Sequence, residues 1–289
     1  MFVEKYRPIT FDELVGQEEA VKTLRGFCER KGAIPNLMFV GEPGTGKTTM
    51  AYILARTLFG SSYQTSFLEL NASSDRGIDI VRGRIQEFAR TRSFHKFKII
   101  FLDEFSEITK DAQNALRRVM ELNHRNCRFI LACNYVDKVI EPIRSRCIEL
   151  TFRKIGVANL VSLGRSIAEK ENVRIKSSKL KLIALESNGD ARKFLNLLEA
   201  VGFGKTVSGE EYRLNDLLSL SVRDFVELVY LVDNERLFHS LVDQAITSRH
   251  RKVVVVLAEC DLRFRLGCIK TLQLISAFIK IKEVVGGLR

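Results

Sequence analysis

The segment that most constrains this chain is Gly41-Glu42-Pro43-Gly44-Thr45-Gly46-Lys47-Thr48. It fits G-x-x-x-x-G-K-[ST] and stands between an apolar run of strand length at 37–40 and a helical pattern at 48–59. Glycines let the backbone take positive φ, so successive N–H groups can wrap a phosphate. The helix that follows points the positive end of its dipole at the same anion. In such a loop Lys47 reaches the β- and γ-phosphates, and Thr48 offers its hydroxyl to Mg²⁺.

The rest of the first half supports that context. Apolar runs at 66–70, 98–102, 128–133 and 147–152 alternate with helical patterns at 78–90 and 109–121. Strand–helix alternation builds a mainly parallel sheet with helices on both faces. All four prolines (Pro8, Pro35, Pro43, Pro142) precede the helical second half. There, 179–188 ends at the turn Asn188–Gly189, and Asp190 is placed to cap a helix over 190–201. A Gly-rich break at 202–211 predicts a boundary. The run Val253-Val254-Val255-Val256-Leu257 favours strand by propensity, but its helix-like continuation predicts helix. Gly202–Thr206, although it reads GFGKT, lacks the first glycine spacing and a preceding strand, and is read as a linker.

At 103–104 the apolar strand delivers two acids, Asp103 and Glu104. Coupled to a phosphate loop earlier in the chain, Asp103 is assigned to Mg²⁺ and Glu104 to polarising an attacking water.

The 289 residues carry 46 Lys and Arg against 35 Asp and Glu, a formal charge of +11. That balance favours an acidic partner, nucleic acid first and anionic membrane second. The longest unbroken apolar run in the C-terminal part, 253–258, is far short of a membrane span. The opening residues have no apolar stretch of secretory type. None of the six cysteines forms a C-x-x-C pair, which predicts reduced, buried thiols of an intracellular protein.

Together these motifs resemble the AAA+ ATPases, and more closely the replication factor C small subunits, the sliding-clamp loaders of archaea and eukaryotes. The resemblance rests on Glu4-Lys5-Tyr6-Arg7-Pro8, Val15-Gly16-Gln17-Glu18, NASSDRGID at 71–79, LRRVME at 116–121, ACNY at 132–135, IRSRC at 143–147 and GDARKFLN at 189–196. It implies an AAA+ domain over 1–152, a small helical lid over 153–206 and a helical collar, used for oligomerisation, over 207–289. It implies that Tyr6, Arg7, Pro8, Val15, Gly16 and Gln17 line the adenine pocket. Glu42, Pro43, Gly44, Thr45, Gly46, Lys47, Thr48 and Thr49 would form the phosphate site. Asn134 would orient the water or γ-phosphate, and Arg192 would reach the phosphates from the lid. Arg146 would act in trans, in a neighbouring subunit's site. ATP and Mg²⁺ are the expected cofactors. Phe105 departs from the pattern, which has a small residue after the acidic pair.

Between Arg76 and Lys98 lie seven basic side chains and two acids. This excess suits phosphate contacts. With the resemblance, Arg76, Arg82 and Arg84 are the expected DNA-backbone contacts. Arg117 or Arg118 would couple DNA to the ATP site. Zinc-finger spacing and aromatic platform motifs are missing from the sequence, so structure-specific binding is expected. The implied partners are other clamp-loader subunits (copies of the small subunit and a large one), a ring-shaped clamp and primer–template DNA, with no membrane. The place is cytoplasmic or nucleoid, or nuclear in a eukaryote. Two rival readings share the phosphate loop: another AAA+ DNA motor, and a structural subunit that holds ATP without hydrolysing it.

Overall fold

The computed structural model describes residues 1–29, 34–73, 77–91, 93, 95–202, 217–218, 220–229, 234–247, 251–266 and 268–286. The chain divides into two compact units, Val3–Gly156 and Val157–Arg289 together with Met1–Phe2.

The first unit is built on five parallel strands: β1 (Leu37–Gly41), β2 (Phe67–Asn71), β3 (Lys98–Asp103), β4 (Cys127–Cys133) and β5 (Ile148–Phe152). Their spatial order is β2-β3-β4-β1-β5. The uninterrupted apolar runs of the inner strands β1, β3 and β4 follow from burial on both faces. Phe39, Ile99, Phe101 and Ile130 enter one core, with α1 (Glu18–Glu29) and α2 (Lys47–Phe59) packed on it. Met38, Ile100, Leu102, Phe129 and Leu131 enter the other. That core is covered by α3 (78–90) and α4 (Lys110–Leu122) through Val81, Ile85, Leu116 and Met120. Successive side chains of the inner strands thus alternate between two dry layers.

Local chemistry sets the ends. Gly60, at φ 67°, stops α2 in a backbone conformation that favours glycine, and its N–H bonds to Arg56 O. Thr109 caps α4 by accepting from Ala112 N at 3.3 Å. Gly41 meets the sheet edge so closely that a Cβ there would lie 2.2 Å from Phe152 O. Gly41 and Phe152 are register partners.

The second unit is helical: α5 (Val157–Lys170), α6 (Ser177–Ser187), α7 (Ala191–Gly202), α8 (Val222–Val229), α9 (Asn234–Thr247), α10 (Arg251–Arg265) and α11 (Lys270–Gly286). The capping expected of Asp190 is present, with Lys193 N donating to its Oδ1 at 3.0 Å. A Cβ on Gly164 would come within 2.6 Å of Phe194 Cζ and 2.9 Å of Leu180 Cδ2, so α5, α6 and α7 meet at that glycine. The valine run is helical, as its periodicity predicts. Val253, Leu257 and Cys260 are buried on one face of α10 while Val255 is exposed. Phe225 and Phe278 stack across α8 and α11 with ring centroids 3.8 Å apart. The domain division expected at 206 lies outside the described residues. Among the described residues no helix is long and apolar enough to cross a membrane.

Candidate nucleotide site and nucleic-acid face

The loop after β1 is shaped by Gly44 at φ 71° and Gly46 at φ 99°, which precede the first turn of α2. Lys47 is almost fully buried. Its ammonium donates to Gly41 O at 2.6 Å, Glu42 O at 2.9 Å and Asn134 Oδ1 at 2.9 Å. Asn134 arrives from the end of β4, which pairs directly with β1. Thr48 Oγ1 donates to Asp103 Oδ2 at 2.6 Å, and Glu104 N donates to Asp103 Oδ1 at 2.9 Å. The sequence-predicted Lys47, Thr48, Asp103 and Asn134 are therefore brought together. A hydroxyl and a carboxylate in contact are hard oxygen donors of the kind Mg²⁺ takes alongside phosphate oxygens, so these residues fit that ion.

Glu104 follows with its carboxylate exposed and its backbone left-handed, at φ 53°. A non-glycine residue rarely sits there, and such positions gather at functional sites. Phe105, the departure noted in the sequence, is fully buried in the core beneath α4. The turn sends the ring into the interior and the acid outward.

The loop is tied to the end of β5. Gln17, buried, donates through its amide to Thr45 O at 3.1 Å and Arg153 O at 2.7 Å, and accepts from Arg153 N at 3.2 Å. The Glu42 carboxylate pairs with Lys154 Nζ at 2.7 Å. Its carbonyl also accepts from Thr45 Oγ1 at 2.8 Å. The Gln17 and Glu42 side chains thus hold the loop to the sheet edge. Arg7 Nε donates to Thr49 Oγ1 at 3.4 Å and its guanidinium lies over the Tyr52 ring. Tyr52 in turn hydrogen-bonds Glu69. Burial, with Glu69 beside it, pushes the Tyr52 phenol well up. Tyr6, Pro8, Val15 and Gly16 are half-buried, and Gly16 takes φ 77°. Arg192 belongs to the helical unit, where it is exposed in the first turn of α7.

On α3, Arg82 and Arg84 are exposed opposite buried Val81, Ile85 and Ala89. Gln86 N–H reaches Val81 O five residues back, a wide π-type turn that leaves Arg82, Gly83 and Arg84 all facing outward. Arg76 lies outside the described residues.

Lys98 does not belong with the basic excess in which the sequence placed it. It is buried, with Nζ bonded to Phe88 O, Thr91 O and Thr91 Oγ1. Burial pulls its pKa down. It caps the carbonyl end of α3 from inside. A lysine at the first position of an apolar strand was the available signal for an inward cation. Gln113 is a second buried polar group that no local sequence pattern marks. Its buried amide donates to Ile108 O and Lys138 O, each at 3.1 Å, and accepts from Ile140 N at 2.9 Å.

All six cysteines carry free thiols. Burial pushes Cys133, next to Asn134, up to about 11 and Cys147, next to Arg146, up to about 12.

A parallel sheet with a glycine-rich phosphate loop at the end of β1 and an acidic pair at the end of β3 defines the class of AAA-type P-loop ATPases. The family model for ATPases associated with various cellular activities (AAA) matches residues 37–154. A replication factor C small subunit from Archaeoglobus fulgidus is 49% identical over 213 residues, covering 73% of this chain and 66% of that protein. The chain thus matches just under two thirds of that relative's length. The replication factor C small subunit of Methanoculleus marisnigri is 38% identical over 314 residues, covering 98% of this chain and 97% of that one. The chain belongs to the replication factor C small-subunit family. Among solved structures, the Thermotoga maritima RuvB Holliday junction branch migration motor superposes with a TM-score of 0.58. It is 24% identical and covers 68% of this chain and 65% of that one, a likeness of fold.

Proposed function

We propose that this chain is an ATP-hydrolysing subunit of a sliding-clamp loader, acting in a ring with other loader subunits on primer–template DNA. The observation that carries the reading is the convergence of Lys47, Thr48, Asp103 and Asn134 at one end of the sheet, in a member of this family.

Lys47 exchanges carbonyl acceptors for β- and γ-phosphate oxygens, and the loop N–H groups wrap the same anion. Thr48 and Asp103 would hold Mg²⁺, which neutralises charge on the phosphates when bound. Glu104 accepts a proton from the attacking water, and Asn134 orients that water or the γ-phosphate. Arg146 stabilises the charge that develops in a neighbouring subunit's site. Arg82 and Arg84 follow the DNA backbone, without reading sequence. In this reading 153–206 serves as a lid and 207–289 as a collar, and the protein works wherever the replicated DNA is held.

The test is ATP hydrolysis by the chain assembled with its partners, with and without primer–template DNA and the host's clamp, with Lys47→Ala as the control. Stimulation by both ligands, lost in the control, is the expected result. Stimulation by DNA but not by the clamp would indicate another DNA motor. ATP binding without any hydrolysis would indicate a structural subunit.

A further inference from the structure

Arg146 is held by two different elements. It follows the short helical turn Glu141–Arg144 and precedes β5. Its Nη1 donates to Pro142 O at 2.6 Å, within its own turn. Its Nη2 donates to Glu121 Oε1 at 2.7 Å, on the last turn of α4. Acceptors on both terminal nitrogens fix the plane of a rigid guanidinium as well as its position. Two of its five donors are engaged, and the side chain is 38% exposed, so the fork still faces outward.

Glu121 is also approached by Arg117 from one turn earlier. Arg117 Nε stays 3.9 Å from the same Oε1, beyond hydrogen-bond reach. The carboxylate therefore serves Arg146. A half-exposed ion pair of this kind adds little to stability, so its consequence is where it aims the guanidinium.

We propose that Glu121 is the positioning residue for Arg146, setting the orientation in which that arginine reaches a neighbouring subunit's nucleotide. This rests on the reading of Arg146 as a trans-acting group. It predicts that Glu121 matters in the subunit that donates the arginine and not in the subunit that hydrolyses.

Mixed assemblies separate the two. A Lys47→Ala chain has no working phosphate loop but still donates Arg146. An Arg146→Ala chain donates nothing but keeps its own loop. Assembled together with the remaining loader subunits, the two restore hydrolysis where a Lys47→Ala chain donates to an Arg146→Ala chain. Adding Glu121→Gln to the Lys47→Ala chain should lower that restored rate about tenfold or more, with nucleotide affinity unchanged. Adding Glu121→Gln to the Arg146→Ala chain should leave the restored rate as it was. Equal loss on both sides would make Glu121 merely structural and overturn the proposal. No loss on either side, or a gain on the donor side, would also overturn it. Failure of the parent pair to restore hydrolysis would remove the trans reading itself, and this inference with it.

Discussion

Thr48 Oγ1 lies 2.6 Å from Asp103 Oδ2, although 55 positions of sequence separate the two residues. The contact exists because β1 and β3 flank β4 in the same parallel sheet and end at the same edge. The two oxygens form the pair proposed to hold Mg²⁺. Asp103→Asn should raise the Mg²⁺ concentration needed for half-maximal ATP hydrolysis by roughly tenfold or more. A Mg²⁺ titration of turnover measures this, and an unchanged midpoint would remove Asp103 from the metal.

Glu104 presents an exposed carboxylate on a left-handed backbone, directly before a buried ring. Glu104→Gln should cut turnover by roughly a hundredfold or more while ATP still binds. Phe105→Ala should act on the other property, costing about 3–5 kcal/mol of stability in denaturant unfolding. If Phe105→Ala unfolded at the parent midpoint, the ring would not be the support of this turn.

Gly41 has no room for a side chain, since an added Cβ would meet Phe152 O at 2.2 Å. The obstacle is backbone, which cannot rotate away. Gly41→Ala should force β1 and β5 apart and destabilise the first unit by about 1–3 kcal/mol or more. Unfolding that matches the parent would show that the strand ends separate freely.

Arg82 and Arg84 are exposed on the wide turn of α3. If each contacts a phosphate, each Arg→Ala change should lower the slope of log affinity against log salt by about 0.7–0.9. The same loss should appear for unrelated duplex sequences. A change confined to one sequence would mean that these arginines read bases.

Five thiols, those of Cys28, Cys127, Cys133, Cys147 and Cys260, are pushed up to about 11 or 12 by burial. At pH 8 on the order of one in a thousand of the four near 11 is thiolate, and about tenfold less of Cys147. Cys268 is exposed. An aromatic disulfide reagent should therefore show one fast thiol in the native protein, lost in Cys268→Ser, with the half-buried Cys28 and Cys147 slower and the buried Cys127, Cys133 and Cys260 released only on unfolding. Rapid reaction of more than one would contradict this burial.

Local signals carried much of the fold. The five strands and α2, α3 and α4 announce themselves as apolar runs and periodic patterns. The phosphate loop has fixed spacing, so Lys47, Thr48 and Asp103 were legible from the residues, and Asn134 from the resemblance. What stayed hidden lies in long-range polar pairing. Gln17 reaches Arg153 across 136 positions, and Arg146 reaches Glu121 across 25. A glutamine just before a helix, or a glutamate on one, carries no mark of its distant partner. Lys98 misled for a related reason: a count of basic residues does not say which way each one points, and this one serves the carbonyls of its own unit.

The three oxygens around Lys47 Nζ have one further consequence. The ammonium is already out of water before any ligand arrives, and folding has met the cost of dehydrating it. An incoming phosphate therefore takes the place of carbonyl oxygens already in contact with the cation, and less water has to be stripped from it. Phosphate binding there includes an exchange of carbonyl oxygens for charged ones in a site already shielded from solvent.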